Sequence, residues 1–404
     1  MKSAIRAALA LSLLLLAYLL LWPTPIQPVA WTPPPAPAAT GVYAPNEALK
    51  AVQRFGVGVG IGPEGIAVDA AGRSYAGYAD GRIVTYSANG SSYQELAVSE
   101  GGRPLGVTFG PRGGLVIADA YKGLIEVGST PTPKSLVTAA GGAPVRFADD
   151  ADNTRLDQKI YFTDVSVYSY EDMMNEVLEH RGTGRLIEYD AVSGETKVLL
   201  SGLHFANGVA VGPDDAYVLV NETSAYRITR YWLKGDKAGT SDIFIDNLPG
   251  MPDNLSYSDK GRFWVALFAP RDATLDRLLP GPAWLKKIVA RLPRALQVRS
   301  GDKAWVLGLD LDGKVIANLQ DQGRDAYAPI TSVEEWGPWL YFGSLSQDSL
   351  ARLPLQQVFP GSPPPPRGWE QTPASPHQFV PPVVGESEPD RGPGASGESD
   401  DRKP

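Results

Sequence analysis

The chain contains no cysteine among its 404 residues, which excludes disulfides, thiolate metal sites and cysteine nucleophiles together. Redox arguments therefore leave the compartment open. Histidine is scarce, with three copies, and only His204 lies close to a repeated motif. Positive charge is in deficit: 37 Lys and Arg face 45 Asp and Glu, a net charge of −8 at pH 7 with a pI near 5.1. Phosphate contacts need a concentrated basic surface, so nucleic acid is not an expected partner. Cations or neutral small molecules are. Long amphipathic helices are missing outside one insertion. What is plentiful is turn-forming residues, 43 Gly and 36 Pro. The length fits two ordinary domains or one large repetitive one.

The N-terminus carries the one long apolar run. Lys2 and Arg6 precede "AALALSLLLLAYLLLW", Ala7 to Trp22. At about 1.5 Å per residue, this run with its flanks nearly crosses a hydrocarbon core of roughly 30 Å. Residues 1–22 are therefore expected to be a single-pass signal anchor, with the basic end cytoplasmic and the rest on the exported (periplasmic, lumenal or extracellular) side. The alternative is a signal peptide cleaved near "PVA" or "APA" and a secreted product. Residues 23–51, rich in Pro and Ala, read as a stiff spacer holding the domain off the membrane. Residues 359–404 are too poor in periodic apolar positions to build a core and are expected to be disordered.

Between these lies a repeat. "PEGIAVDAAGRSYAGY" from Pro63, "PLGVTFGPRGGLVIAD" from Pro104 and "ADDADNTRLDQKIYFTD" from Ala148 align with three later stretches. Those are "ANGVAVGPDDAYVLVNE" from Ala206, "PDNLSYSDKGRFWVAL" from Pro252 and "ITSVEEWGPWLYFGSL" from Ile330. Each is strand, turn, strand, and a period of about 40 to 50 residues points to propeller blades. Six copies predict an all-β, six-bladed β-propeller over 52–358, with a helical insertion at 269–300.

In a propeller the first strand of each blade lines the axis, so equivalent positions converge there. The second residues of the six stretches are Glu64, Leu105, Asp149, Asn207, Asp253 and Thr331; Asp150 and Asn254 follow two of them. Carboxylates crowded in a channel repel and are costly to desolvate unless a cation sits among them. All the donors are oxygen, which selects a hard ion, Ca²⁺ before Mg²⁺ and well before Zn²⁺. The predicted ligands are Glu64, Asp149, Asn207, Asp253 and Asn254. The plainer alternative is that these groups bind channel water and neighbouring loops. Asp69, Asp214, Asp215 and Asp259 fall in turns and read as turn formers.

Several stretches, "RPLGVTFGPRGGLVIADAYKGL", "KIYFTDVSVYS", "GRLIEYDAVSGETKVLLSGLHFANGVAVGPD", "VNETSAYRITRYWLKG" and "LPGMPDNLSYSDKGRFWVAL", resemble one superfamily. It is the group of six-bladed propellers that includes the strictosidine synthase-like proteins, the adipocyte plasma membrane-associated protein, the gluconolactonases with senescence marker protein, and the paraoxonases. The strictosidine synthase-like branch is the nearest in motif, and the resemblance runs from about Val52 to Pro354. It implies a catalytic calcium held by residues matching Glu64, Asn207 and Asp253. A further ligand of that family site, an asparagine, matches Asp149. The paraoxonase histidine pair would fall near Leu105 and Asp119, neither of them histidine. The glutamate that drives strictosidine synthesis matches Thr331, with Glu334 and Glu335 shortly after.

The expected chemistry is calcium-assisted hydrolysis of a small hydrophobic ester or lactone, with Asp253 as general base and His204 as a secondary acid/base candidate. Asp119, Tyr121 and Asp164 are candidates for the channel mouth, or else turn and inter-blade residues. Glu222, Arg227 and Arg230 read as a structural ion pair. The insertion "APRDATLDRLLPGPAWLKKIVARLPRALQVRS" has apolar residues at helical spacing, Trp284 among them, and is locally basic. It reads as a lid that brings Trp284 to the substrate channel, an interfacial helix on the membrane, or side packing. Two other functions stay open: a non-catalytic ligand- or partner-binding propeller with structural calcium, and a condensing enzyme of the strictosidine synthase type. Asn89, Asn221 and Asn254 match glycosylation sequons.

Overall fold

The computed structural model describes residues 1–293 and 303–365. Six four-stranded antiparallel sheets stand radially around an axis. Their innermost strands are Ile66–Val68, Pro104–Phe109, Ala148–Asn153, Ala206–Val211, Gly250–Ser258 and Ser332–Trp336. The second strands, such as Leu115–Asp119 and Tyr217–Glu222, are buried at every position. A blade has a neighbour on both faces, so its middle strands read as continuous apolar runs without the alternation of a one-sided sheet. Apolar clusters fill the gaps between blades. One joins Ile83 and Ala97 to Ile117 and Ile125, and another joins Trp264 and Val306 to Leu340 and Phe342.

The turns are built by the acids that follow the inner strands. Asp69 Oδ1 accepts from the amides of Ala71 and Arg73, both at 2.9 Å, a side chain mimicking a backbone turn. Asp215 behaves differently. It is buried and accepts from the amides of Arg155 and Leu156, tying the third blade to the fourth.

In five blades the strand order follows the chain, but the sixth is composite. Gln53–Phe55 forms its outer strand, pairing Gln53 with Arg352 and Phe55 with Leu350. The ring is thus closed by its own first strand, and opening it would break a sheet.

Helix α1, Lys2–Leu21, is 20 residues long, has no buried residue, and is apolar enough to cross a membrane. The segment after it does not behave as a free spacer. Ile26 is buried, and the amides of Gln27 and Val29 donate to Glu179 Oε1 at 2.7 Å and to its carbonyl at 2.8 Å. The Trp31 amide donates to Leu279 O. Further along, Arg271 Nη2 and Asn247 Nδ2 donate to the carbonyls of Pro34 and Pro35 at 2.6 and 3.0 Å. An extended proline-rich chain has free carbonyls and few amides of its own to satisfy them, and side chains of the propeller take them up.

Three further helices sit on the same face. Helix α2, Met173–Glu179, had no periodic signal in the sequence. The insertion gives α3, Ala273–Leu278, and α4, Ala283–Ala290. The side chain of Asp272 caps α3 by accepting from Thr274 and Leu275 at 2.8 and 2.7 Å. On α4 the buried residue is Lys286, whose Nζ donates to Leu279 O at 2.9 Å and to Val29 O. Trp284 is 59% exposed on the outside. Its expected place in the substrate channel is therefore corrected: helical spacing told that α4 has an apolar face, not which way that face turns. Arg291 closes the other end, with Nε donating to Trp22 O at 2.7 Å and Nη1 to Leu19 O at 2.8 Å. These are carbonyls that the C-terminus of α1 leaves without helical partners. The remainder of the insertion, 294–300, and the tail from 366 lie outside the described residues.

Candidate metal centre

Glu64 stands two residues before the first inner strand, Asp149 and Asn207 lie second in theirs, and Asp253 and Asn254 lie within the fifth. Radial convergence brings carboxylate oxygens of Glu64, Asp149 and Asp253 within 4.8 Å of one another, on residues 2%, 4% and 4% exposed. Asn254 Nδ2 donates to Glu64 Oε1 at 3.0 Å, and Asn207 hydrogen-bonds to Asp253. The opposite atoms of this set are without partners: Glu64 Oε2, Asp149 Oδ1, Asn207 Oδ1 and Asn254 Oδ1 are buried and accept nothing. An unsatisfied buried acceptor costs about 1–3 kcal/mol, more when charged. Four at one level, all oxygen, fit a hard divalent cation.

The electrostatics agree. Burial pushes the Glu64 carboxyl up to about 7, against the opposing pull of Arg103 and the Asn254 hydrogen bond. Burial also raises Asp149 and Asp253 well above the ordinary range, and repulsion from Glu64 adds to both shifts. These are acids placed where they resist ionising without a cation. Asp150, one step along, keeps its two oxygens on the amides of Ala151 and Val209, both at 2.9 Å, and is not a free donor.

What allows the inner strands so close is glycine, a signal the ring positions hid. A Cβ on Gly208 would lie 2.5 Å from Asn254 Cα and from Asp253 O, and one on Gly343 would lie 1.8 Å from Glu64 O. Both obstacles are backbone. Gly208→Ala should therefore push the fourth and fifth blades apart at Asp253 and Asn254, lowering stability by about 1–3 kcal/mol and weakening the response of melting to an added divalent cation. Unchanged melting and cation response in that variant would show that the strands have slack.

The other expected site residues fall elsewhere. Leu105 and Phe147 pack with Val177, Phe205, Leu275 and Leu279 in an apolar cluster drawn from the blade ends, α2 and α3, with Trp31 against it. Thr331 is buried and structural: its carbonyl accepts from the Asn254 amide at 3.0 Å. Asp119 is fully buried and accepts from Ser99 Oγ and the amides of Arg103, Tyr121 and Lys122. Asp164 accepts from the amides of Arg146 and Phe147 and pairs with Arg185. Neither acid is turned toward a channel mouth; both tie loop ends down, the work that buried backbone amides demand. Tyr121 is 44% exposed, edge-on to Tyr170 at 5.9 Å.

His204 stacks on His180 at 4.5 Å, and His180 stacks on Trp31 at 4.1 Å. Its Nδ1 is buried without a partner, its backbone amide donates to Glu222, and burial lowers its pKa. Burial holds His180 neutral, down to about 3. His180, Trp31 and Tyr170 all lie outside the repeat, and nothing in their sequence surroundings marks them as neighbours of the site. Glu222 pairs with Arg227 at 2.7 and 3.0 Å, while Arg230 pairs with Asp242 instead.

On the far side of the acids the axis holds a cavity of 220 Å³ lined by Asp150, Asp152, Asn153, Ser256 and Glu334 among others. Glu335 points the other way and binds Arg262 twice at 2.7 Å, as strand alternation requires. Asn221 and Asn254 are buried, so of the three sequons only Asn89 is open to modification on the folded chain.

Residues 149–236 match the model of the strictosidine synthase family, and 41–86 match that of the strictosidine synthase-like N-terminal region. The adipocyte plasma membrane-associated protein of Gallus gallus is 35% identical over 376 residues, 88% of this chain and 89% of the relative. The strictosidine synthase-like protein 10 of Arabidopsis thaliana is 36% identical over 342 residues, 76% of this chain and 90% of the relative. Among solved structures, a gluconolactonase from Xanthomonas campestris superposes with a TM-score of 0.54 at 15% identity, covering 82% of this chain and 98% of its own. A calcium-binding regucalcin from Agrobacterium tumefaciens does so with a TM-score of 0.51 at 14% identity, covering 74% and 92%. At such identities the two structures speak for the fold alone.

Proposed function

The chain belongs to the family of the adipocyte plasma membrane-associated and strictosidine synthase-like proteins, and from that premise we propose that it is a membrane-anchored, calcium-dependent hydrolase of esters or lactones. The observation that carries this reading is the set of four buried, unpartnered oxygens around three crowded carboxylates. A calcium ion held by Glu64, Asp149, Asn207 and Asp253, with Asn254 beside them, would polarise a substrate carbonyl and stabilise the charge developing on its oxygen. Asp253 accepts the proton of the attacking water, and the hydrogen bond from Asn207 keeps its carboxylate turned to the axis. Leu105, Phe147 and Phe205 belong to the apolar packing of the blade ends, which would exclude bulk water from the acids. Helix α1 anchors the protein, with the propeller on the exported side, and the Arg291 contacts hold α4 at the membrane surface.

A second reading, a non-catalytic propeller with structural calcium, draws support from the face above the acids. There α2, α3 and the segment around Trp31 pack over the blade ends. The condensing reaction has less support, since Thr331 stands where its glutamate would be. The deciding experiment is hydrolysis of phenyl acetate and of γ- and δ-lactones by the full chain in detergent, with calcium and after chelation. Turnover that disappears on chelation and returns with calcium is the expected result. A folded protein that binds calcium and turns over none of these substrates would favour the second reading.

A further inference from the structure

Glu64, Asp149 and Asp253 bring three negative charges to a site nine-tenths buried, and a divalent cation supplies only two positive ones. A leftover buried charge is costly unless something compensates it. One cation is buried with the acids. Arg103 is 4% exposed, and its Nη1 donates to the carbonyl of Gly62, two residues before Glu64, at 3.0 Å and to that of Pro104 at 3.1 Å. It also hydrogen-bonds to Tyr170. Among the described residues it makes no ion pair within 4.0 Å of a carboxylate, so the ligand oxygens stay free. Its field nonetheless acts on both Glu64 and Asp149. Asp150 adds a fourth acid at this level and repels Asp149 and Asp253, but its charge is the same whatever stands at 103 and 149, so it does not enter the differences between variants at those two positions. A guanidinium cannot lose its proton in a protein, so the compensating charge is permanent.

We infer that Arg103 is the fixed counter-charge of this centre, and that with Asp149 it sets the selectivity for a divalent over a trivalent cation. The inference rests on the metal-centre reading above. Arg103 is a positioning charge and touches neither ion nor substrate. Removing it leaves three carboxylates uncompensated and favours a trivalent ion; replacing Asp149 by a neutral amide leaves Arg103 in excess and weakens divalent binding. Removing both restores the balance.

The test titrates Ca²⁺ and Tb³⁺ into the full chain in detergent, by calorimetry and by sensitised Tb³⁺ luminescence. The variants are Arg103→Met, Arg103→Lys, Asp149→Asn and the double variant Arg103→Met with Asp149→Asn. A unit charge several ångströms away in a partly polar interior changes affinity by about tenfold or more. Arg103→Met should therefore shift the Tb³⁺ to Ca²⁺ affinity ratio by about that factor toward Tb³⁺, and Arg103→Lys should keep the wild-type ratio. Asp149→Asn should weaken Ca²⁺, and the double variant should recover most of that loss. An unchanged ratio in folded Arg103→Met, or losses that simply add in the double variant, would overturn the inference while leaving the metal centre standing. If Arg103→Met does not fold, Asp149→Asn against Arg103→Lys decides it: Ca²⁺ affinity unaffected by the amide refutes the charge balance. Failure of the wild-type chain to bind either ion would overturn both the inference and the centre it rests on.

Discussion

In calcium-free buffer the protein should lose stability as the pH rises from about 4.5 to about 7, and saturating calcium should remove most of that loss. Glu64 holds its proton up to about 7 when folded, against 4.5 as the ordinary value. A group raised in this way binds more protons in the native state than in the unfolded chain across that window. Its contribution is complete below the unfolded value and disappears as pH climbs through the folded one. At about 1.4 kcal/mol per pH unit, Glu64 alone accounts for roughly 3 kcal/mol. Asp149 and Asp253 are shifted in the same direction and add to it. Calcium needs the ionised ligands, so its binding strengthens where the free protein weakens; at a hundredfold excess over Kd it returns about 2.7 kcal/mol. Melting curves at pH 5 and pH 8, with chelator and with calcium, test this. A calcium-free melting temperature that stays flat or rises between pH 5 and pH 7 would mean that the carboxylates are already neutralised within the fold.

The second large effect concerns turnover. Asp253→Asn keeps an oxygen at the proposed metal site and the hydrogen-bonding neighbours around it, but removes the proposed acceptor of the water proton. Hydrolysis should fall by about 10²- to 10⁴-fold, the usual worth of a general base, with calcium affinity reduced far less. Glu64→Gln should show the reverse balance: weaker calcium binding, with activity recovered at high calcium, because in the proposed mechanism Glu64 holds the ion and moves no proton. Steady-state kinetics over a calcium series separates the two. Comparable activity in Asp253→Asn and wild type would put the base elsewhere, and His204 would have to be reconsidered despite its place in the Trp31 and His180 stack.

Much of this protein was legible in one dimension because a propeller repeats. Each blade must start an inner strand at the same distance from the axis, so equivalent positions can be aligned by eye, and an acid or amide at four of six is visible without coordinates. The apolar run of α1 is likewise local, a matter of length and hydropathy. Side-chain direction and long-range closure were not legible. In "IADAY" and "YFTD" Asp119 and Asp164 read equally as channel or as turn and inter-blade residues, and only the fold shows their oxygens spent on loop amides. Trp284 has the spacing of a packed face, yet Lys286 takes the buried position because carbonyls of Val29 and Leu279, far from it in sequence, meet there.

The sequence by itself determined the blade count, the level at which the acids converge and the N-terminal apolar helix, since these depend on period and composition. Only the tertiary structure decided that Gln53–Phe55 closes the ring, that the proline-rich segment lies across the propeller face, and that Arg103 is buried against the Gly62 carbonyl, two residues before Glu64. Each of these depends on contacts between segments whose separation along the chain carries no period.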